Sequence, residues 1–260
     1  KEIIVKVIPS KIANDFVKRH HYSGKVVPNS TLHFGCFLDE KLHGVMSYGP
    51  SINKKGTINL VEGTGWNEFI ELNRMAFDDY LPKYSESRCI AISIKLIKKN
   101  APHIKWVISF ADGTQCGDGT IYRASGFHLV GIVDNTALRV NPKNGEAMHV
   151  IQAHHLKMSN EFRKWEAFDG KQLKYIYLID KSCKITVPIL PFSKIDEMGA
   201  GMYKGKKITQ AERHKCDVSV TGSTSDNQSE GGVRTDHIAQ IRNNLKANEK
   251  QTNGKETIKR

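Results

Sequence analysis

The chain lacks the features that mark several large protein classes. Its 260 residues include only five cysteines: Cys36, Cys89, Cys116, Cys183 and Cys216. The number is odd and no Cys-x-x-Cys pair occurs, which argues against a disulfide framework or a zinc ribbon. Such usage fits a reducing cytoplasm, with most of the thiols serving as small apolar core groups. No apolar run approaches the roughly 18 residues of a membrane-spanning helix. Residues 1–10 are a charged amphipathic stretch rather than a signal peptide. No internal repeat is visible, and aromatic residues stop at Tyr203.

That last absence marks a boundary. Residues 203–260 hold 12 Lys+Arg and 7 Asp+Glu, a net +5. A segment so poor in apolar groups cannot offset its ordering entropy by burial. It is expected to be a flexible, basic, low-complexity tail, with one short helical pattern at Ile238, Ile241 and Leu245. Residues 1–202 hold 27 Lys+Arg and 20 Asp+Glu, a net +7, and are expected to form the catalytic domain. The whole chain carries +12. An excess of that size points to a polyanion: nucleic acid first, then an acidic membrane surface or a nucleotide-type ligand. A merely solubilising surface is the alternative.

Periodicity predicts an alternating fold. Ile3–Val7 reads as a strand, and Ser10 as the cap of a helix reaching His20. Leu32–Leu38 and Leu42–Tyr48 read as a hairpin turning at Asp39-Glu40-Lys41. Glu68–Phe77 is a strand in which alternation places Arg74 with Ile70, Leu72 and Ala76. Ser85 or Ser87 caps the clearest helix, which carries an Ile90, Ile94, Ile97 stripe and ends before Pro102. Lys105–Phe110 is a buried strand. A short helix from Gly119 to Ser125 ends at Gly126, a natural residue for a helix C-terminus. Phe127–Val133 is a strand, residues 146–168 are mostly helical, and Leu173–Ile179 and Ile185–Ile189 are strands. The order predicts a mixed, partly parallel α/β sheet flanked by helices, with a crevice at strand ends.

Gly119-Thr-Ile-Tyr122-Arg-Ala-Ser-Gly126-Phe127 resembles the late motif of the GNAT superfamily of N-acetyltransferases. The glycine-rich phosphate loop of that superfamily is missing, and Leu81-Pro-Lys-Tyr-Ser-Glu-Ser-Arg88 stands in its place. Free amides at a helix N-terminus still suit a pyrophosphate, and Ser85 and Ser87 add hydroxyls. A second set of motifs runs through the chain: His21-Tyr22-Ser23, Glu71-Leu72-Asn73-Arg74-Met75, Ser85-Glu86-Ser87, Ser109-Phe110-Ala111-Asp112 and Ile121-Tyr122-Arg123-Ala124. In this order they are similar to the Mom family of phage DNA-modification proteins, over roughly residues 15–135.

The resemblance implies a GNAT-like fold and a transferase acting on the N6 amino group of adenine in double-stranded DNA. The adduct is of methylcarbamoyl type and shields phage DNA from restriction, in the host cytoplasm. The implied site is His21, Tyr22, Asp112 and Tyr122, with Arg74, Ser85 and Ser87 toward the donor. Asp118 stands where relatives often carry a His, which puts any role of that His in doubt here.

The chemistry sets its own demands. Adenine N6 is a poor nucleophile and must lose a proton as its new bond forms; Asp112, ending an apolar strand, is the candidate base. Tyr122 is the candidate acid for a leaving thiolate, and Arg74 needs a partner such as a phosphate or Asp112. Attack on acetyl-CoA gives an N-acetyl group, whereas a carbamoylmethyl adduct joins nitrogen to a methylene carbon. The donor is therefore acetyl-CoA or another activated two-carbon, glycine-type unit. A redox metal such as iron is a further option, with His21 and Asp112 as candidate ligands. His33 and His43 could converge on His21, although no His spacing supports a metal site. A duplex base must be flipped out and stacked; Tyr22, Tyr48, Trp66 and Tyr84 are candidates. Phe162-Arg163-Lys164-Trp165 interleaves basic and aromatic groups as a DNA-backbone grip does. The alternatives are an ordinary N-acetyltransferase on a protein or small amine, and a non-catalytic DNA-binding protein.

Overall fold

A computed structural model describes residues 2–113, 118–135, 138–145, 147–167, 170–200, 202–203 and 206–207. All of them belong to one compact unit, Lys1–Lys215. The basic tail expected over 203–260 lies outside the described residues, apart from Tyr203, Lys206 and Lys207.

The chain opens with β1 (Ile4–Val7) and α1 (Ser10–His20). Pro9 rather than Ser10 occupies the cap position of α1, in extended conformation, and no side chain caps the helix. Proline suits the start of a helix because its fixed φ and missing N–H cost nothing there. The hairpin follows as β2 (Leu32–Leu38) and β3 (Lys41–Gly49). Its turn is the pair Asp39-Glu40, with φ of 50° and 63°. Two left-handed residues match the twist of the flanking strands. Next come the short α2 (Lys54–Thr57), β4 (Phe69–Phe77), α3 (Ser85–Asn100), β5 (Trp106–Asp112), α4 (Thr120–Ala124) and β6 (His128–Asp134). Gly126 takes φ +79°, as expected after a helix end.

Residues 146–168, expected to be mostly helical, hold two short helices, α5 (Val150–His155) and α6 (Ser159–Phe162), but flanked by the short strands β8 (Ala147–His149) and β9 (Glu166–Ala167), with β7 (Leu138–Val140) before them. The strands pair as a small sheet in the order β8-β7-β9. Strands of two or three residues are too short to imprint alternation. β10 (Lys171–Leu178) returns to the main sheet. The strand expected at Ile185–Ile189 is also corrected: it makes one bridge, Val61 to Ile185, and stays outside the sheet. A last helix, α7, spans Ser193–Glu197.

The main sheet has seven strands in the order β1-β2-β3-β4-β5-β10-β6. Every neighbouring pair is antiparallel except β4 with β5. The partly parallel mixed sheet flanked by helices is the architecture expected. Its largest core packs the α3 stripe of Cys89, Ile90, Ile94 and Ile97 against Phe34, Cys36, Tyr48, Leu72, Val107 and Leu129. α1 covers the other face, placing Ala13, Phe16 and Val17 on Val45 and Ala76. Further along that face, Phe69, Trp106, Ile108 and Ile176 form a third cluster with Val61.

Ile90 is fully buried and Ile52 is 79% exposed. We expect Ile90→Ala to lose about 2–5 kcal/mol in urea unfolding, and Ile52→Ala to stay within about 0.5 kcal/mol.

Candidate active site

β4 and β5 run side by side for only four pairs, from Phe69–Trp106 to Leu72–Ser109. Beyond these pairs β4 remains with β3 and β5 remains with β10. The sheet therefore opens between the C-terminal halves of its only parallel pair. The parting coincides with a bulge on β4. Tyr48 pairs with Leu72 while Ser47 pairs with Arg74, leaving Asn73 as the extra residue. A bulge reverses alternation. Leu72 faces the α3 core, whereas Ala76 faces α1. Arg74 shares the α1 side with Ala76, away from Ile70 and Leu72, so the single face expected for these residues is split in two.

On the α1 side, the loop after the helix brings His21 and Tyr22 to the opening. Tyr22 Oη lies 3.5 Å from Asp112 Oδ2, linking residues 90 apart in sequence. The His21 and Tyr22 rings lie 4.3 Å apart. His21 Nδ1 is 2.8 Å from Ser23 Oγ. Arg74 Nε donates to the Lys25 carbonyl at 3.0 Å, and Nη1 donates to the Asn73 carbonyl at 3.1 Å. Burial, and then the Arg74 charge, depress His21 from 6.5 to about 4. Both causes penalise the imidazolium, so His21 is neutral at pH 7. Asp112 alternates with Ala111, a member of the α3-side core, and so lies on this same α1 side. It is only half-buried.

On the α3 side sit Ser109 and Tyr122. Ser109 Oγ is 3.0 Å from the Leu72 carbonyl and 2.9 Å from Tyr122 Oη. A carbonyl only accepts, so when Ser109 donates to it Tyr122 donates to Ser109. Tyr122 is 8% exposed and stacks on Tyr175. The Tyr175 hydroxyl in turn donates to the Asp118 carbonyl. The Asp118 carboxylate receives Arg123 at 2.8 Å and Thr120 at 2.5 Å, which secures the start of α4. Ser23 and Ser109 lie in the quoted motifs without a role assigned to them there, and Lys25 lies in none. A buried serine in the otherwise apolar run Trp106–Ala111 was the one available signal.

The residues expected to hold a donor are divided. Ser85 and Ser87 stand at the start of α3, preceded by Tyr84 in left-handed conformation with φ +67°. Ser85 is buried and donates to the Pro82 carbonyl at 2.5 Å, and Ser87 donates to the Tyr84 carbonyl at 3.1 Å. Both hydroxyls brace the turn into the helix. Arg74 is across the sheet from them, tied to the loop of His21.

The stacking candidates also separate. Tyr22 is 46% exposed at the opening. Tyr48 is corrected: it is fully buried and its hydroxyl is 2.7 Å from Ser93 of α3, so its ring presents no face to a base. Burial holds its hydroxyl well above the ordinary range. Trp66 is exposed, but it precedes β4 beside the Glu68–Lys105 ion pair, at the opposite end of the parallel strands. Tyr84 is exposed at the α3 N-terminus. Trp165 is likewise corrected: with Phe162 it packs into a small core around Met148 and Ala153. Arg163 and Lys164 point outward beside it.

The described residues do not fit a metal ion. Among them there is no group of three or more His, Cys, Asp and Glu placed to hold one. His33 Nδ1 lies 2.8 Å from Ser47 Oγ and His43 Nδ1 2.9 Å from Asp78 Oδ2, and neither histidine belongs to such a group with His21. No helix among the described residues is long and apolar enough to cross a membrane.

The fold is of the mixed α/β class, its main sheet parted at the one parallel pair, with a tyrosine on the short helix behind the gap. Backbones of similar course include the IAA acetyltransferase from Bacillus cereus ATCC 14579, at 10% identity over 68% of this chain and 99% of that one, with a TM-score of 0.42. A Bacillus subtilis acetyltransferase in complex with CoA gives the same four values. Sequence narrows the class: the chain belongs to the Mom protein family, which it matches over residues 2–194. The Methylcarbamoylase mom of Escherichia phage Mu is 35% identical over 162 residues, 62% of this chain. The chain spans 66% of the length of that relative.

The depressed His21 value has a consequence for stability. A group whose folded value lies below its unfolded value near 6.5 binds fewer protons when folded. It withdraws stability as pH falls from about 6.5 to about 4. We expect the unfolding free energy of His21→Asn to fall less than that of the unaltered chain across this window, as read by urea titrations at each pH. Parallel curves would contradict the assignment.

Proposed function

We propose that this chain is a transferase that modifies the N6 amino group of adenine in double-stranded DNA with a methylcarbamoyl or acetamido-type group. Membership of the Mom family supports the reading, since the phage Mu relative is a methylcarbamoylase. The observation that carries it is the meeting of Tyr22 and Asp112 at the parting of β4 and β5, with Ser109 and Tyr122 behind the same gap.

Each side of the sheet then has one task. A flipped adenine enters from the α1 side, where the exposed Tyr22 ring stacks on it. Asp112 accepts a proton from N6 as the new nitrogen–carbon bond forms. Neutral His21 orients the base beside Arg74, whose fixed charge compensates the negative charge of the approaching nucleotide. The donor, a nucleotide-type carrier of an activated glycine-type unit, lies on the α3 side; N6 bonds to the methylene carbon of that unit as the bond from this carbon to the leaving group breaks, whereas acetyl-CoA itself would give only an N-acetyl group. The Glu86 and Ser87 amides in the first α3 turn face its phosphates. Tyr122, its hydroxyl positioned by Ser109, gives its proton to the leaving group. The modified DNA escapes host restriction, and the setting is the cytoplasm of an infected cell. An iron site finds no fitting ligand set among the described residues, and no step is assigned to it.

Nucleosides from DNA of cells expressing the protein, analysed by mass spectrometry, test the reading. We expect a new adenine species that disappears in Asp112→Ala and drops about 100-fold or more in Asp112→Asn. Unmodified DNA in cells rich in the folded protein would overturn it. N-acetylation of a protein or small amine instead would favour an ordinary acetyltransferase.

A further inference from the structure

The charge that surrounds the opening is unevenly placed. The last turn of α1 is basic, with Lys18, Arg19 and His20 in succession. His20 is exposed, with its ring stacked on Phe16 at 4.2 Å. Lys18 and Arg19 are exposed, as is Lys25. Arg19 Nε donates to the Asp15 carbonyl, which fixes the stem of its guanidinium on the helix. The chain then folds back. Gly24, at φ +60°, donates its N–H to the His21 carbonyl, and a Cβ there would lie 3.7 Å from the Lys18 carbonyl. The return places Lys25 against the last turn of α1. Among the described residues no carboxylate lies within ion-pair distance of Lys18, Arg19 or Lys25.

The backbone of the same loop is fastened to the site. The Lys25 carbonyl accepts from Arg74, and Tyr22 reaches Asp112. Three exposed cations thus lie within seven residues of Tyr22, on the segment that brings its exposed ring to the opening. Elsewhere the positive charge is more diffuse. Lys95, Lys98 and Lys99 on the outer face of α3 lie toward the end of that helix, opposite the opening. We infer that Lys18, Arg19 and Lys25 form a collar that grips the DNA phosphates flanking the flipped base, so that backbone contact and base entry are set by one loop. This rests on DNA being the substrate. Phosphate contacts of this kind position a duplex without reading its sequence, so the collar contributes affinity and register and leaves base choice to the cleft.

The salt dependence of binding to a fluorescent 20-base-pair duplex tests the collar. Each phosphate contact displaces condensed counterions and adds about 0.9 to the slope of log K against log salt. We expect the triple variant Lys18→Gln, Arg19→Gln, Lys25→Gln to lose about 2 to 3 from that slope and to keep its cooperative thermal unfolding. Lys95→Gln, Lys98→Gln, Lys99→Gln removes the same charge away from the opening and is expected to leave the slope within about 0.5 of the unaltered chain. Equal losses in the two triples, or none in the first, would overturn the collar while DNA binding itself stands. Absence of duplex binding by the unaltered chain at low salt would instead overturn the DNA reading, and the collar with it. A single charge reversal, Lys25→Glu, guards against misfolding of the triple and is expected to weaken binding at least tenfold.

Discussion

The parting of β4 and β5 after Leu72 and Ser109 is the constraint on which the rest of the site depends. Backbone groups on the two diverging edges lose each other as partners, and the structure answers with side chains. Ser109 Oγ reaches the Leu72 carbonyl at the fork, and the Asn73 bulge turns β4 so that Arg74 faces α1. A closed sheet would separate its two faces by a layer of hydrogen-bonded backbone. A parted one lets a group bound on one face react with a group bound on the other. In the proposed reaction the fork is what lets Tyr122 behind it and Asp112 in front of it serve one transfer.

Packing decides which residues can serve. α3 buries its isoleucine stripe against one face and holds Tyr48 and Ser93 in the dry core. α1 buries Phe16 and Val17 against the other, and its end delivers His21 and Tyr22 to the gap. The Arg74 charge and the burial of His21 act in one direction: both keep the imidazole neutral. A neutral ring beside a fixed guanidinium leaves Arg74 as the lasting positive charge of the cleft, and lets His21 act by hydrogen bonding instead of by charge. Glu71, two residues before the bulge, shows the complementary effect, its carboxyl pushed upward by burial.

Much of this was legible in the residues themselves. The α3 stripe, the Asp39-Glu40 hairpin, the apolar run of β5 and Gly126 after α4 each carry a local signal strong enough to place the element. The motifs around His21, Tyr22, Asp112 and Tyr122 marked residues that the fold does bring to one gap, although from opposite sides. The bulge at Asn73 was not legible, because alternation continues to look regular through an inserted residue. That one position explains why Arg74 faces away from Leu72. Tyr48 and Trp165 misled for a related reason. An aromatic residue in a strand or beside a basic pair has the same sequence signature whether its ring is covered or open, and only the packing of α3, or of the small sheet around Met148, decides. Within 146–168 only the helical part was legible, because strands of two or three residues are too short to show a repeated alternation.

The central claim is that donor and base approach the same gap from opposite faces. A crystal structure of the protein with coenzyme A bound addresses this most directly. The pyrophosphate is expected at the first turn of α3, with the thiol end reaching the fork between Leu72 and Ser109, beside Tyr122. Coenzyme A seated on the α1 side, against Tyr22 and Arg74, would contradict it.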